Sequence, residues 1–362
     1  MTMIFEPRRA LRREGGIALV SVLLLLVFVL TLVAGLFYRH QIHIHKVTRA
    51  VTGDQALLIV LGAETWVASV LEADARAGKV DHLGEAWARP LPPMPVEGGE
   101  ISGCLRDMAG LFNLNNLGAY TNKRWDDELK AEVAQDAVAT PRAWFREILR
   151  QRGLDAADRR IAALADWVDP DAWLLTPESA EDNEYLLLDP PYRPANHPLT
   201  ELGELPLVMG YSATDAAALA PWVSTLPRQT RLNVNTAPAP VLAALSPLIA
   251  PARVEALLAR RPFTSLGAFY DALAAVAGQS RDDLLQRIPA DLLAVGSDYF
   301  ALRARVSLAG LRYDYESLIH RPASGRARVI ARTFAPVPRL AQDAGGDAAI
   351  GHPCNHNEVI SP

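Results

Sequence analysis

Asp166, Asp169, Asp171, Glu178, Glu181, Asp182, Glu184 and Asp189 fall within one stretch, 166–189, that contains no Lys or Arg. Carboxylates held together in a compact loop repel one another. A bound cation relieves that repulsion, and so does full solvation as an acidic surface loop. Oxygen donors with no His or Cys among them favour a hard cation, which selects Ca²⁺ over zinc or copper. The stretch is not an EF-hand, because the twelve-residue spacing with its central Gly is missing. The spacing puts Asp169, Asp171, Glu181 and Asp182 forward as ligands, with Asp166 and Glu178 as further candidates.

Catalytic patterns are absent. There is no Gly-x-Ser-x-Gly, no His-Glu-x-x-His and no P-loop. The acids of 166–189 lack the intervening apolar walls that would tune a pair of carboxyls for glycoside hydrolysis. His40, His43 and His45, with Lys46, read as a solvated helix face at headgroup level rather than as a metal site. The chain therefore reads as a non-enzyme. Its net charge of −5 and pI near 5.9 give no global reason to expect a nucleic-acid partner.

These residues must be positioned by a chain with an apolar run, Ile17–Tyr38, that carries no charge and is long enough to cross a bilayer as a helix. Arg8, Arg9, Arg12 and Arg13 precede it, so the positive-inside bias keeps the leader in the cytoplasm and sends the remainder outward. A cleaved secretory signal fits poorly, since no small-x-small site follows the apolar run. Helical periodicity continues through Val60, Ala63, Val67, Val70 and Leu71. Residues 81–95, with Gly84 and Pro90, Pro92, Pro93 and Pro95, read as a linker. Gly98–Phe112 alternates like a strand. From Lys123 to about Pro289 the period is helical. Thr140 before Pro141 marks a helix start with Trp144, Phe145, Ile148 and Leu149 as its buried face, and Ser212/Asp215 and Ser280/Asp283 have capping-box spacing. Tyr299–Leu308, Leu311–Ile319 and Arg328–Phe334 then alternate as an antiparallel meander. Half the chain is hydrophobic, enough for a sizeable core and two domains beyond the apolar run.

Arg12-Arg13-Glu14-Gly15-Gly16 followed by Ile17-Ala18-Leu19-Val20-Ser21-Val22-Leu23-Leu24 resembles the class III leader of type IV pilins and type II secretion pseudopilins. In that class a peptidase cuts after the last Gly, here Gly16, and the new terminus, here Ile17, is N-methylated. Most members have Glu five residues into the mature chain. Ser21 stands there instead, as in the K minor pseudopilins (general secretion pathway protein K). Gly110-Leu111-Phe112-Asn113-Leu114-Asn115-Asn116-Leu117 is also similar to a K-family pattern. So are Asp166-Trp167-Val168-Asp169-Pro170-Asp171, Ala180-Glu181-Asp182 and Tyr192-Arg193-Pro194-Ala195-Asn196. In K subunits the acidic motifs bind calcium. That family has Gly before Ala-Glu-Asp where this chain has Ser179.

The resemblance implies an α+β fold: a transmembrane helix extended into a pseudopilin αβ unit with a small antiparallel sheet, interrupted by a large all-helical insertion. The expected segments are a leader over 1–16, a span over 17–38, helix and first strands over 39–122, the insertion over 123–289, strands over 290–340 and a tail of disordered composition over 341–362. It further implies Ca²⁺, a place at or capping the tip of the pseudopilus, and an inner-membrane location with the C-terminal part in the periplasm. The implied partners are the minor pseudopilins I, J and H, the major pseudopilin G, the inner-membrane assembly platform and the prepilin peptidase. That compartment permits a disulfide, and Cys104 and Cys354 allow one connectivity, with two free thiols as the alternative. Residues 231–290 resemble a helix-hairpin-helix unit, which makes a membrane-anchored DNA-uptake receptor the alternative function. Its turn, Ser246-Pro247-Leu248-Ile249-Ala250, lacks glycine, and six Arg face four acids across Arg231–Pro289. Phosphate binding needs free backbone N–H groups beside basic side chains, so a scaffold for protein contacts, with no nucleic acid, is the expectation.

Overall fold

The computed structural model describes residues 15–118, 121–126, 131–136, 139–227, 230–247, 249, 251–334 and 339–340. Residues 1–14 of the leader, the tail from 341 and Cys354 lie outside the described residues. The chain divides into two compact units, 1–58 and 59–362.

Helix α1 (Gly15–Ala77) is continuous, and its N-terminal portion is apolar enough to cross a membrane. The first unit is this portion. Leu19–Tyr38 is exposed along its length, as a lipid-facing segment requires.

In the second unit the remainder of α1 lies on a sheet formed by β1 (Leu91–Val96), β2 (Gly99–Asp107), β9 (Tyr299–Leu308), β10 (Leu311–His320) and β11 (Arg328–Phe334), in that order. All pairs are antiparallel. The meander occurs where alternation places it. The expected linker contains an edge strand: β1 carries Pro92, Pro93 and Pro95, tolerated because an edge strand is paired on one side only. Strand β2 pairs with β9 from Gly99↔Leu308 to Asp107↔Phe300, so everything between 107 and 299 leaves and re-enters the sheet at one end.

That insertion holds β3 (Phe112–Asn113), β4 (Thr121–Asp126), β5 (Ala131–Asp136), α2 (Ala139–Gln151), α3 (Asp158–Val168), α4 (Asp182–Tyr185), α5 (Ala213–Leu219), β6 (Val223–Ser224), β7 (Leu232–Asn233), α6 (Ala239–Ala244), α7 (Pro251–Leu258), α8 (Leu266–Ala277), α9 (Arg281–Arg287) and β8 (Leu293–Ala294). It is not all-helical. Strands β4 and β5 form a hairpin where helix was expected from Lys123, and β3–β6 and β7–β8 are short parallel pairs. The hairpin sequences are polar and short, so they carry no strong period. A last short strand, β12 (Arg339–Leu340), pairs with β10. The helix signals held better. Trp144, Phe145, Ile148 and Leu149 are buried on α2, and Gly153 follows at φ +65. Helix α2 begins at Ala139, one residue before the expected cap Thr140. The Ser212 side chain accepts from Asp215 N–H, and Ser280 from Asp283 N–H.

The helical stripe also needs correction. Val60, Val67 and Leu71 are buried, but the position between them belongs to Glu64, 4% exposed, and not to Ala63. Its carboxylate accepts from Ser317 Oγ at 2.5 Å on β10 and from Arg332 Nε at 2.7 Å and Arg332 Nη2 at 2.5 Å on β11. A helix residue thus fastens α1 to two neighbouring strands. Glu64→Ala leaves the Arg332 charge and the Ser317 hydroxyl without this partner, and we expect a loss of about 2 kcal/mol in denaturant titrations. Glu64→Gln, which keeps the Ser317 bond, should lose less.

Candidate functional site

Helix α3 positions the first acids. Its apolar face is buried in the insertion core with Trp167 packed on Tyr185 and Tyr192, so Asp166 and Asp169 are carried inward with it. Asp166 is fully buried and accepts from Leu175 N–H at 3.2 Å. Asp169, the residue after α3, is 3% exposed, and its Oδ1 has no hydrogen-bond partner. Asp171 is exposed and accepts from Trp173 N–H at 2.9 Å. Glu181, just before α4, is 3% exposed and has no hydrogen-bond partner on either carboxylate oxygen. Such orphaned buried acceptors are rare and costly.

The electrostatics agree with this placement. Burial foremost, then the neighbouring charges of Asp171, Asp166 and Glu181, push Asp169 up to about 8. Burial, then Asp166, Asp171 and other nearby acids, push Glu181 up to about 7. Asp166 rises to about 6, burial outweighing its hydrogen bonds to Ser179 and Leu175. Asp166, Asp169, Asp171 and Glu181 therefore form the group. Glu178 is exposed, with no hydrogen bond among the described residues linking it to the group. Asp182 is turned to Arg193, 3.3 Å away. The cluster also has a cation that the local sequence does not reveal, since Arg142 of α2 lowers Asp166. Ser179, at the family's glycine position, needs no left-handed backbone here: its Oγ donates to Thr176 C=O at 2.7 Å.

The orphaned oxygens of Asp169 and Glu181 fit a hard cation: they are carboxyl oxygens with no protein donor paired to them, and they become anionic when a cation displaces their protons. Among the described residues, a tighter trio of carboxylates is Asp74, Asp81 and Glu85, with ligand oxygens all within 4.8 Å of one another. Arg321 already fills that trio, at 2.9 Å from Asp74 and 2.6 Å from Asp81, so it is an ion-pair network and not an open site. Asp81 belongs to a larger buried set. Ser297 N–H donates to Asp81 Oδ2 at 2.7 Å, and Ser297 Oγ donates to Asp107 Oδ2 at 2.6 Å. Thr236 Oγ1 also donates to Asp107, and Asn233 Nδ2 lies 3.0 Å from Asp107 Oδ2 and 3.1 Å from the Asp81 carbonyl. Burial raises Asp107 in spite of these bonds. The set sits where the insertion leaves β2 and returns to β9. Gly110 lets the strands meet there, since a Cβ would lie 2.5 Å from Thr236 Oγ1.

Among its described residues, the helix-hairpin-helix-like segment does not offer a phosphate grip. Arg261 turns inward and donates to the Ala237 carbonyl at 2.6 Å, its pKa lowered to about 10 by burial. Arg260 is the exposed one of the pair. Leu248 and Ala250 of the expected turn lie outside the described residues. Cys104 is buried on β2. Gly16 and Ile17 lie within α1.

Family models described as type II secretion system protein K match residues 110–228 and 232–294. The type II secretion system protein K of Pseudomonas aeruginosa is 35% identical over 356 residues, covering 93% of this chain and 97% of that protein. The protein of the same name from Klebsiella pneumoniae is 33% identical, covering 90% and 96%. Among solved structures, one chain of the GspK-GspI-GspJ complex from enterotoxigenic Escherichia coli matches with a TM-score of 0.65 at 27% identity, covering 80% of this chain and 99% of that one. This chain belongs to the type II secretion system protein K family.

Proposed function

We propose that the chain is the minor pseudopilin that starts or caps the tip of a type II secretion pseudopilus, a non-catalytic assembly subunit. Its inferred place is the inner membrane, held by the apolar portion of α1 with the rest in the periplasm. Partners of the I and J kind follow from the composition of the solved GspK-GspI-GspJ complex. The H and G pseudopilins, the assembly platform and the prepilin peptidase follow from the same reading.

The observation that carries it is the insertion between β2 and β9, a domain with its own core that leaves the sheet at one end. Such bulk would collide with neighbours along a filament shaft and is free at an end. Ser21 argues the same way. In the resembled class, Glu at that position pairs with the amine of the subunit above, a useful contact because an unpaired charge in the bilayer is costly. Serine carries no charge to do so, and is tolerated where nothing lies above. The Ile17 amine can still attract the Glu of the subunit below. Imaging pseudopili with a label on this subunit should place it at the ends, and labels spread along the shaft would refute tip placement. Mass spectrometry of the mature chain should find N-methylated Ile17. An intact leader would contradict processing after Gly16.

Within this reading Asp169 and Glu181, with Asp166 and Asp171, hold Ca²⁺ in the acidic loop. The ion would add to the positive charge of Arg142 beside those carboxylates and fix the 166–182 segment.

A further inference from the structure

Among the described residues, every carboxyl or amide oxygen buried without a hydrogen-bond partner belongs to one of three side chains, Asp169, Glu181 and Asn196. Buried oxygens of this kind are rare enough that each asks for a partner. Asn196 comes from a separate segment, 192–197, which the fold lays against the same two helix ends. His197 N–H donates to the Trp167 carbonyl at 3.3 Å, just ahead of Asp169 in the chain. Tyr192 N–H donates to the Tyr185 carbonyl at 3.5 Å, and the Tyr192 ring packs against Tyr185 and Trp167 with centroids 5.4 and 6.5 Å apart. Tyr185 N–H in turn donates to the Glu181 carbonyl at 3.2 Å. Asn196 is thus held beside the end of α3 and the start of α4, which carry Asp169 and Glu181. Its backbone is an independent sign. At φ 45 it is one of two non-glycine residues in the left-handed region among the described residues. Asparagine adopts that conformation more readily than most side chains, but glycine adopts it at no steric cost. What glycine lacks is the amide oxygen. A neutral oxygen suits a cation already faced by several carboxyls, since Ca²⁺ takes roughly six to eight oxygens and its sites mix carboxylates with amide carbonyls.

We propose that Asn196 Oδ1 is a ligand of the cation held by Asp169 and Glu181, so that the ion ties the 192–197 segment to the ends of α3 and α4. The proposal rests on the calcium reading above. The test is calorimetric titration of the full chain in detergent with Ca²⁺ at pH 8, with melting temperatures measured in calcium and in chelator. Asn196→Gly keeps the backbone conformation and removes the oxygen. It should weaken Ca²⁺ affinity by about tenfold or more, the scale found even for groups that only orient a metal ligand. Its melting temperature in chelator should stay close to that of the unaltered chain, because glycine takes this φ without strain. Asn196→Ala, strained at that φ, should melt lower in chelator and bind calcium as weakly as Asn196→Gly. Asn196→Asp restores an oxygen at the same place and should retain calcium binding. Calcium should also raise hydrogen-exchange protection over 192–197 in the unaltered chain and not in Asn196→Gly. Unchanged affinity in Asn196→Gly, with binding abolished in Asp169→Asn, overturns the role of Asn196 and leaves the calcium reading standing. No calcium binding by the unaltered chain overturns both.

Discussion

Millimolar Ca²⁺ should raise the melting temperature of the full chain in detergent above that in chelator, and the rise should grow with pH. A cation that binds the folded form alone stabilises it by mass action, about 2.7 kcal/mol at a hundredfold excess over Kd. For a domain of this size each kcal/mol is worth roughly 2–4 °C. The pH dependence follows from the raised carboxyls. Without cation, Asp169 at about 8 and Glu181 at about 7 hold their protons in the folded state while the unfolded chain loses them near 4. The folded state then binds more protons, so these groups make stability fall as pH rises from about 4 through 7 and 8. Calcium must displace those protons, so its contribution is small at pH 5 and largest above pH 8. Asp169→Asn removes one of the repelling charges together with a ligand. It should raise stability in chelator at pH 8 and abolish most of the calcium response. A melting curve indifferent to calcium at pH 8 would remove the site, and an equal response at pH 5 would remove the proposed role of Asp169 and Glu181.

The acidic loop was legible because its carboxylates are close in sequence. Which oxygens converge was not. Asp182 is adjacent to Glu181 in sequence but is drawn to Arg193, whereas Asp166, a secondary candidate, is carried inward by the apolar face of α3. The strands β9, β10 and β11 were legible because alternation is a local signal, and the capped helices of the insertion because their caps are local too. The hairpin of β4 and β5 has little apolar alternation to read. Prolines hid β1, since a sequence alone does not reveal that a strand will be an edge. Glu64 is a charged residue inside an apolar stripe. Its burial depends on Ser317 and Arg332, whose positions more than 250 residues away no local pattern supplies. Arg261 is adjacent to Arg260 in sequence, but its guanidinium donates to the Ala237 carbonyl. For Glu64 and Arg261 the cause is a polar group whose partner is distant in sequence.

Arg321→Met should be among the most destabilising substitutions in the chain, at about 4 kcal/mol near neutral pH, because it strands the buried Asp81 and the half-buried Asp74. The guanidinium lies over the Phe300 ring, 4.7 Å from its centroid, and donates to Asp74, to both oxygens of Asp81 and to the Ser297 carbonyl. Asp81 is 2% exposed and retains Ser297 N–H as a donor, which is too little to balance its charge. Asp74 is already pushed up to about 6, by burial first and then by Glu85 and Asp81, with Arg321 pulling it back. Without Arg321 the Asp74 carboxyl rises further and holds a proton that the unfolded chain releases near 4. The variant therefore loses more as pH increases, and its deficit should be larger at pH 8 than at pH 5. Asp74→Asn in the same chain should recover part of the loss at pH 8 and little at pH 5. The consequence reaches beyond α1. Asp81 shares Ser297 and Asn233 with Asp107, so its displacement loosens the junction that holds the insertion on the sheet. Hydrogen exchange should accordingly rise at 107–110 and 233–236 in Arg321→Met before it rises in α2. A deficit independent of pH, or protection at the junction equal to that of the unaltered chain, would show that Arg321 acts by packing alone.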